Sequence, residues 1–335
     1  MSGFSASFTV VTTATVDAEF QALVEPLRRE LIAHCYRMSG SVHEAEDLVQ
    51  ETYLRAWRAY HGFEHRSSLR TWMYRIATNV CLTALQQGQR RPLPTGLGQP
   101  NSDPGAALRE NPELPWLEPL PDSMIWGSPD PDPAEATVTR DTVRLAFIAA
   151  LQLLTSQQRA VLILRDVLAW KATEVASTLG ITVAGVNSTL QRARAQLAKQ
   201  RGVAAPTVEL DGRARELLAR YLDAFEAYDV PRIVGLLAED AVWEMPPFTG
   251  WYQGRRDIGQ LISERCPAKL AGDMRLVTTS ANGQPVFAVY MRGEDGVFRA
   301  FQLQQLTLSA EGVSHVACYF DTDLFASFGL PEVLE

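Results

Sequence analysis

Most of the chain's 19 prolines fall between Pro92 and Pro133. Proline donates no backbone hydrogen bond and its ring clashes with the preceding helical turn, so neither a helix nor a central strand can run through such a stretch. The 335-residue chain is thereby cut into an N-terminal helical block, an acidic Pro-rich connection and the remainder. The connection, with "ENPELPWLEPLPDSMIWGSPDPDP", is expected to be a linker that forms no packed core. Trp116, Leu117, Leu120, Ile125 and Trp126 are unusual in it, because a free linker seldom leaves large apolar side chains in water. They read as short docking elements or as a local collapse.

The first block, from about Asp17 to Gln87, is helical in pattern and ends in "QRRPLPTGLGQPNSDPG". Within it, "HEAEDLVQETYLRAWRAY" turns Ala45, Leu48, Val49, Ala56 and Tyr60 to one side at helical spacing. Asp47, Gln50, Glu51, Leu54 and Arg58 share the opposite side. A leucine among carboxylates fits a docking surface, or a solvated face with one exposed apolar residue. In the next element, "HGFEHRSSLRTWMYRIATNVCL", Leu69, Met73, Ile76 and Val80 form the core row, and Trp72 reads as core because it shares the Leu69 and Ile76 face.

A second helical block runs from about Arg140 to Gln200. "TSQQ", Thr155 to Gln158, matches a capping box before the apolar run "AVLILRDVLAW". Then "ATEVASTLGITVAGVNSTLQRARAQLAKQ" gives a helix over Ala172 to Leu179, a stop at Gly180 and a second helix capped by Thr182. This is a helix-turn-helix pattern. Val186, Leu190, Ala193 and Leu197 form its buried row; Asn187, Ser188, Gln191, Arg192 and Arg194 stay outside, with the amide, hydroxyl and guanidinium groups that suit a major groove.

Beyond Pro206 a helix carries Leu217, Leu218, Tyr221, Leu222 and Phe225 on one face, and "PRIVGLLAED" reads as a shorter helix. Strand-like runs follow, "AVWEMP", "MRLVTTS", "PVFAVYM", "VFRAFQLQQLTLS" and "SHVACYF", broken by turns such as "NG" at Asn282 and "GEDG" at Gly293. Helices first and a curved antiparallel sheet afterwards describe an α+β domain.

A net charge of -8 argues against a nonspecific nucleic-acid binder, but the stretches Arg66 to Arg91 and Arg192 to Arg201 are locally basic. Cys35, Cys81, Cys266 and Cys318 are scattered without a CxxC pair, which suggests buried free thiols and neither a disulfide framework nor a metal site. No apolar run approaches the roughly 18 residues a membrane span needs, and the N-terminus lacks the basic start of a secretion signal. A cytoplasmic protein without membrane insertion is expected.

"EAEDLVQETYLRAW", "SSLRTWMYRIATNVCL" and "LTSQQRAVLILRDVLAWKATEVASTLGITVAGVNSTLQRARAQL", in this order around a linker, resemble an extracytoplasmic-function sigma factor of the sigma-70 class. "LLAEDAVWEMPPFTGWYQGRRDI" and "YFDTDLFASFGLP" resemble the SnoaL-like branch of the NTF2-like fold. The resemblance implies a multidomain chain: two all-α sigma domains, the second a helix-turn-helix, joined by the Pro-rich linker and followed by an α+β NTF2-like cone. The expected bounds are region 2 at 17–91, linker at 92–139, region 4 at 140–202 and the SnoaL-like domain at 210–330.

By the same resemblance, Asp47, Gln50, Glu51, Leu54 and Trp57 dock on the beta-prime clamp helices of the RNA polymerase core. Phe63, Arg66, Ser67, Ser68, Arg70, Arg75 and Asn79 offer the aromatic, cationic and amide groups that single-stranded DNA needs, and the resemblance assigns them to the minus-ten element. Asn187, Ser188, Gln191, Arg192 and Arg194 would read the minus-thirty-five element as duplex, so promoter DNA is the second partner. Ala184 and Gly185 are small where some relatives are charged, which leaves backbone N–H groups to meet phosphates at that helix start.

Trp243, Met245, Trp251, Tyr290 and His315 are the candidates to line the cavity of the cone, where a small-molecule ligand could sit. His315 reads as a lone histidine and the nearby carboxylates fall near turns, so no catalytic residue, cofactor or enzyme activity is expected. The expected function is promoter-specific transcription initiation modulated by the C-terminal domain. The alternative is a DNA-binding regulator fused to a small-molecule-binding or isomerase- or hydrolase-like NTF2 domain. Tethering favours even weak contact between the C-terminal domain and the linker or sigma domains, with Trp116, Leu120 and Trp126 as anchors.

Overall fold

The computed structural model describes residues 19–86, 90–126, 140–199 and 211–334. Expectations resting on the N-terminal tail, on 127–139 and on the junction around Pro206 lie outside the described residues.

The first helical unit contains α1 (Arg28–Ser39), α2 (Val42–Ala59) and α3 (Leu69–Leu85). Gly40 ends α1 at φ 78°, a left-handed conformation that costs a residue without Cβ little, and lets the chain reverse at once into α2. The Ser41 and Ser68 side chains accept from the N–H groups of Glu44 and Thr71 and so cap α2 and α3. Ala45, Leu48, Val49, Ala56, Met73 and Val80 are buried, as their spacing predicts.

The second unit contains α4 (Leu145–Leu151), α5 (Ser156–Leu162), a π-helical turn (Ile163–Val167), α6 (Ala172–Leu179) and α7 (Val183–Leu197). Thr155 and Gln158 form the capping box of α5. Gly180 closes α6 at φ 64° and Thr182 caps α7 through the Gly185 N–H, which fixes the helix-turn-helix angle.

The third unit sets α8 (Gly212–Glu226), α9 (Val230–Leu236) and α10 (Arg255–Arg265) on one face of a curved sheet of β1 (Leu237–Glu244), β2 (Trp251–Gln253), β3 (Met274–Ala281), β4 (Gln284–Arg292), β5 (Phe298–Ser309), β6 (Gly312–Tyr319) and β7 (Val333–Leu334). The strand order is β2-β1-β6-β5-β4-β3, with β7 on β5; β1 and β6 run parallel and the other pairs antiparallel. The short β2 and β7 are strands the sequence pattern missed. Tyr221, Phe225, Trp243 and Phe287 fill the inner side, with ring centroids 4.6 to 6.3 Å apart.

The outer side of this sheet joins another core. Val286, Ala288, Tyr290, Leu303, Ala317 and Tyr319 belong to the same buried cluster as Ile32 and Tyr36 of α1, Leu145 of α4 and Leu162 of α5. Leu117 and Leu120 are fully buried in it, and Ile125 is nearly so. The expectation of a linker without a packed core is therefore corrected. Its apolar side chains find two surfaces to bury against, each burial worth about 1.5 to 3 kcal/mol. The prolines leave few N–H groups to satisfy, and Leu117 and Leu120 donate theirs to Pro92 and Asn282. Among the described residues no helix is long and apolar enough to cross a membrane.

Candidate functional site

On α2 the strip predicted for docking is brought together. Asp47, Gln50, Leu54 and Trp57 are exposed and Glu51 is half-exposed, paired with Arg55 at 2.6 Å. Leu54 and Trp57 are 50% and 43% exposed, unusual for side chains of that size, and with Phe20, Val24 and Tyr53 they line a groove of about 940 Å³. Phe20 and Val24 lie in the helical stretch 19–24, which the sequence pattern did not single out. A largely apolar groove with Glu25 in its lining and Asp47 and Glu51 on the same helix as Leu54 suits a partner helix carrying apolar and basic residues.

The second set of predicted residues lies on α3 and the loop before it. The Phe63 ring meets those of His65 and Trp72 at tilted angles, with centroids 4.6 and 4.8 Å away. Trp72 is half-buried and packs against the core together with Leu69 and Ile76, as its helical face predicts, while its other side meets Phe63. Arg66, Ser68 and Asn79 are exposed and Ser67 is half-buried. Arg66 meets Glu64 at 2.9 Å, and Ser68 serves as the cap of α3. Arg70 reaches Glu30 at 2.6 Å and lies over the Tyr74 ring. Arg75 points to the second unit, where its guanidinium donates to Thr178 Oγ1 (3.2 Å) and Ser177 Oγ (3.5 Å) on α6.

The third set, Asn187, Ser188, Gln191, Arg192 and Arg194, is exposed on α7. Arg192 folds along its own helix, donating to Ser188 O and Thr189 Oγ1. Arg194 makes two bonds to Asp166 of the π-helical turn, at 2.9 and 2.7 Å.

The two helical units are clasped through buried cations. Arg37 of α1 donates to Thr142 O and Oγ1 at 3.1 and 2.7 Å. Arg159 of α5 donates to Leu151 O, Leu154 O and, across the units, Met38 O. Burial lowers the pKa of both guanidiniums to about 10, still well above neutrality, so each keeps its charge and needs these carbonyls.

At the tip of the β3–β4 hairpin, fully buried Asn282 joins all parts. Its Nδ2 donates to the Tyr36 hydroxyl (2.9 Å) and to Val143 O (2.7 Å). Its Oδ1 accepts from Leu120 N, and its own N–H donates to Leu120 O. Tyr36 in turn donates to Glu118 O at 2.7 Å, and burial pushes its pKa well above the usual phenol range. The Glu118 carboxylate caps the start of α2, accepting from Ser41 Oγ and Val42 N. Asp122 accepts from Gly283 N at 2.8 Å, and burial raises its pKa to about 6.

Of the five cavity candidates, Trp243 and Met245 lie in the inner core. The other three are corrected. Tyr290 faces the outer core against Phe325; Trp251 donates its indole N–H to Gln99 O of the linker. His315 also faces outward and is not alone, since its Nε2 lies 2.7 Å from Glu244 Oε1 while Thr95 N donates to Glu244 Oε2. Side chains alternate along a strand, and register, which local pattern does not give, decided which set faced inward.

The family profiles for Sigma-70 region 2, Sigma-70 region 4 and the SnoaL-like domain match residues 23–91, 144–197 and 218–316. The chain is 57% identical over 319 residues to the ECF RNA polymerase sigma factor SigG of Mycobacterium tuberculosis, covering 94% of this chain and 85% of that protein. It is 28% identical over 231 residues to SigJ of the same organism, covering 69% and 64%. The crystal structure of SigJ superposes with a TM-score of 0.59 at 23% identity, over 92% of this chain and 99% of that one, a likeness of fold.

Proposed function

Because the chain belongs to the ECF RNA polymerase sigma factors, which direct promoter-specific transcription initiation by the polymerase core, we propose that its SnoaL-like domain holds the two sigma regions in a closed arrangement that engagement of core and promoter must open. Asp47, Gln50, Glu51, Leu54 and Trp57 meet the clamp helices of the core. Phe63, Arg66, Ser67, Ser68, Arg70, Arg75 and Asn79 meet the minus-ten strand, joined by Trp72 through its ring contact with Phe63. Asn187, Ser188, Gln191, Arg192 and Arg194 read the upstream duplex.

The observation that carries the closed reading is the contact of Arg75 with Thr178 and Ser177. Elements centred near minus ten and minus thirty-five are separated by about 25 base pairs, or about 85 Å at 3.4 Å per step. A minus-ten residue hydrogen-bonded to the helix-turn-helix cannot serve both elements at once. Arg75 is also engaged where it would meet a strand. Asn282 supplies the clasp, since it bonds region 2, the linker and region 4 together.

A regulatory role for the SnoaL-like domain is favoured over a catalytic one. The Glu244 and His315 pair lies on the outer sheet side beneath Thr95, with both carboxylate oxygens occupied. The inner side is packed with aromatic rings, which favours a domain that acts through its surface over one that acts through a small-molecule ligand.

Dyes at the exposed positions Ala84 and Lys199, outside all three assigned sets, test the reading by energy transfer. High transfer is expected in the free chain and low transfer in the polymerase–promoter complex; equal transfer in both states would overturn it.

A further inference from the structure

Arg194 and Asp166 are joined by two parallel hydrogen bonds, Nε to Oδ2 at 2.9 Å and Nη2 to Oδ1 at 2.7 Å. The pair is not buried: the arginine side chain is 61% exposed and the aspartate 29%. Ion pairs this open contribute little to stability, so holding the fold is a weak reason for so defined a geometry. Its position gives a better one. Asn187, Gln191 and Arg194 fall at i, i+4 and i+7 of α7 and share one exposed strip, with Arg194 a turn beyond the two amides. In a helix-turn-helix the early residues of the second helix meet base edges, whereas the later turns lead away toward the sugar-phosphate backbone.

A guanidinium presents five N–H donors in a fixed plane. Asp166 takes the side edge, one hydrogen from Nε and one from Nη2. The end edge, the outer hydrogens of Nη1 and Nη2, is left as a forked donor whose direction the carboxylate fixes, and a fork of that shape matches two oxygens of one phosphate. Arg192, by contrast, lies along its own helix with its hydrogen bonds on Ser188 and Thr189.

We propose that Asp166 is a positioning residue for promoter binding, holding Arg194 so that the free edge of its guanidinium clamps one backbone phosphate beside the upstream element. The inference rests on α7 being the duplex-reading helix. The carboxylate does two things at once. It orients the arginine before DNA arrives, which removes the ordering cost from the bound register. It also cancels the arginine's charge at a distance, so the pair attracts an arbitrary phosphate weakly and rewards only DNA seated in register.

The test uses the full-length chain with polymerase core on a promoter duplex and on the same duplex with its upstream element scrambled, over a range of salt. Arg194→Ala is expected to weaken promoter binding about tenfold and to flatten the salt dependence by about one phosphate contact. Asp166→Asn is expected to lower the ratio of promoter to scrambled affinity about five- to tenfold, largely by tightening the scrambled complex. It should have no such effect in an Arg194→Ala background. Asp166→Glu should restore the ratio, and ethylation of a single phosphate should interfere with the parent but not with Arg194→Ala. Equal tightening on both duplexes by Asp166→Asn would mean simple loss of repulsion and overturn the proposal, as would unchanged promoter affinity in Arg194→Ala. Asn187→Ala separates the levels: if it weakens promoter binding while the Arg194 and Asp166 variants do not, the duplex-reading helix stands and the clamp falls. If none of them changes binding, both fall.

Discussion

The Asn282 side-chain amide of the sheet domain lies 2.9 Å from the Tyr36 hydroxyl of the first helix, and both residues are fully buried. The same amide reaches Val143 O, and its oxygen receives Leu120 N, so one side chain satisfies groups from three other parts of the chain. Burial makes the arrangement sensitive, because a buried polar group left without its partner costs about 1 to 3 kcal/mol.

Asn282→Ala is expected to loosen the closed form by on the order of 2 to 4 kcal/mol, since several partners are orphaned together and alanine is disfavoured at φ 57°. Hydrogen exchange in 117–122 and 281–284 should accelerate, and promoter output at limiting polymerase should change several-fold. Unaltered exchange in both segments would remove Asn282 from the clasp.

Asp122 makes docking of the linker pH-dependent. Its pKa is raised from 3.8 to about 6 by burial in the docked form, so docking takes up a proton. The desolvation penalty is present in full above about pH 6 and is relieved as pH falls toward 4, and acid therefore favours the docked state locally. Asp122→Asn keeps an acceptor for Gly283 N and removes the penalty, which a rise of this size limits to about 3 kcal/mol. Protection of the Gly283 amide should exceed the parent's at about pH 7.5 and match it near pH 4, the two sides of the shifted titration. A pH-independent difference would contradict the assignment.

Leu54→Asp combined with Glu51→Lys should abolish capture of polymerase core. Both side chains lie on the solvent side of α2, away from its buried residues, so thermal unfolding should change little. Retained core binding by the folded double variant would sink the docking strip.

Arg192→Ala should weaken duplex promoter binding by about 1 to 3 kcal/mol, the worth of one good contact, with less effect on strand melting. Footprints of the upstream element at matched salt would show it. Equal occupancy by variant and parent would exclude Arg192 from the interface.

The order of elements, the helix-turn-helix and the split of α2 into a buried and a solvent-facing side were legible in the sequence because their causes are local. Caps at Thr155 and Thr182, the stop at Gly180 and the i, i+4 rows of α2 and α7 involve residues within a turn or two of each other. The linker's odd tryptophans and leucines were visible too, but not what they bury against.

Only the tertiary structure decided the rest. Register turned Tyr290 and His315 outward, and folding brought Glu244 to a histidine that looked solitary. It also tied Arg75 and Arg194, which read as free cations, to Thr178 and Asp166. Asn282 looked like a hairpin turn residue, and its side chain became a clasp to a tyrosine 246 positions earlier. A turn's backbone preference is set by its own neighbours, whereas the partner of a buried amide is whatever distant group the packing of domains delivers to it.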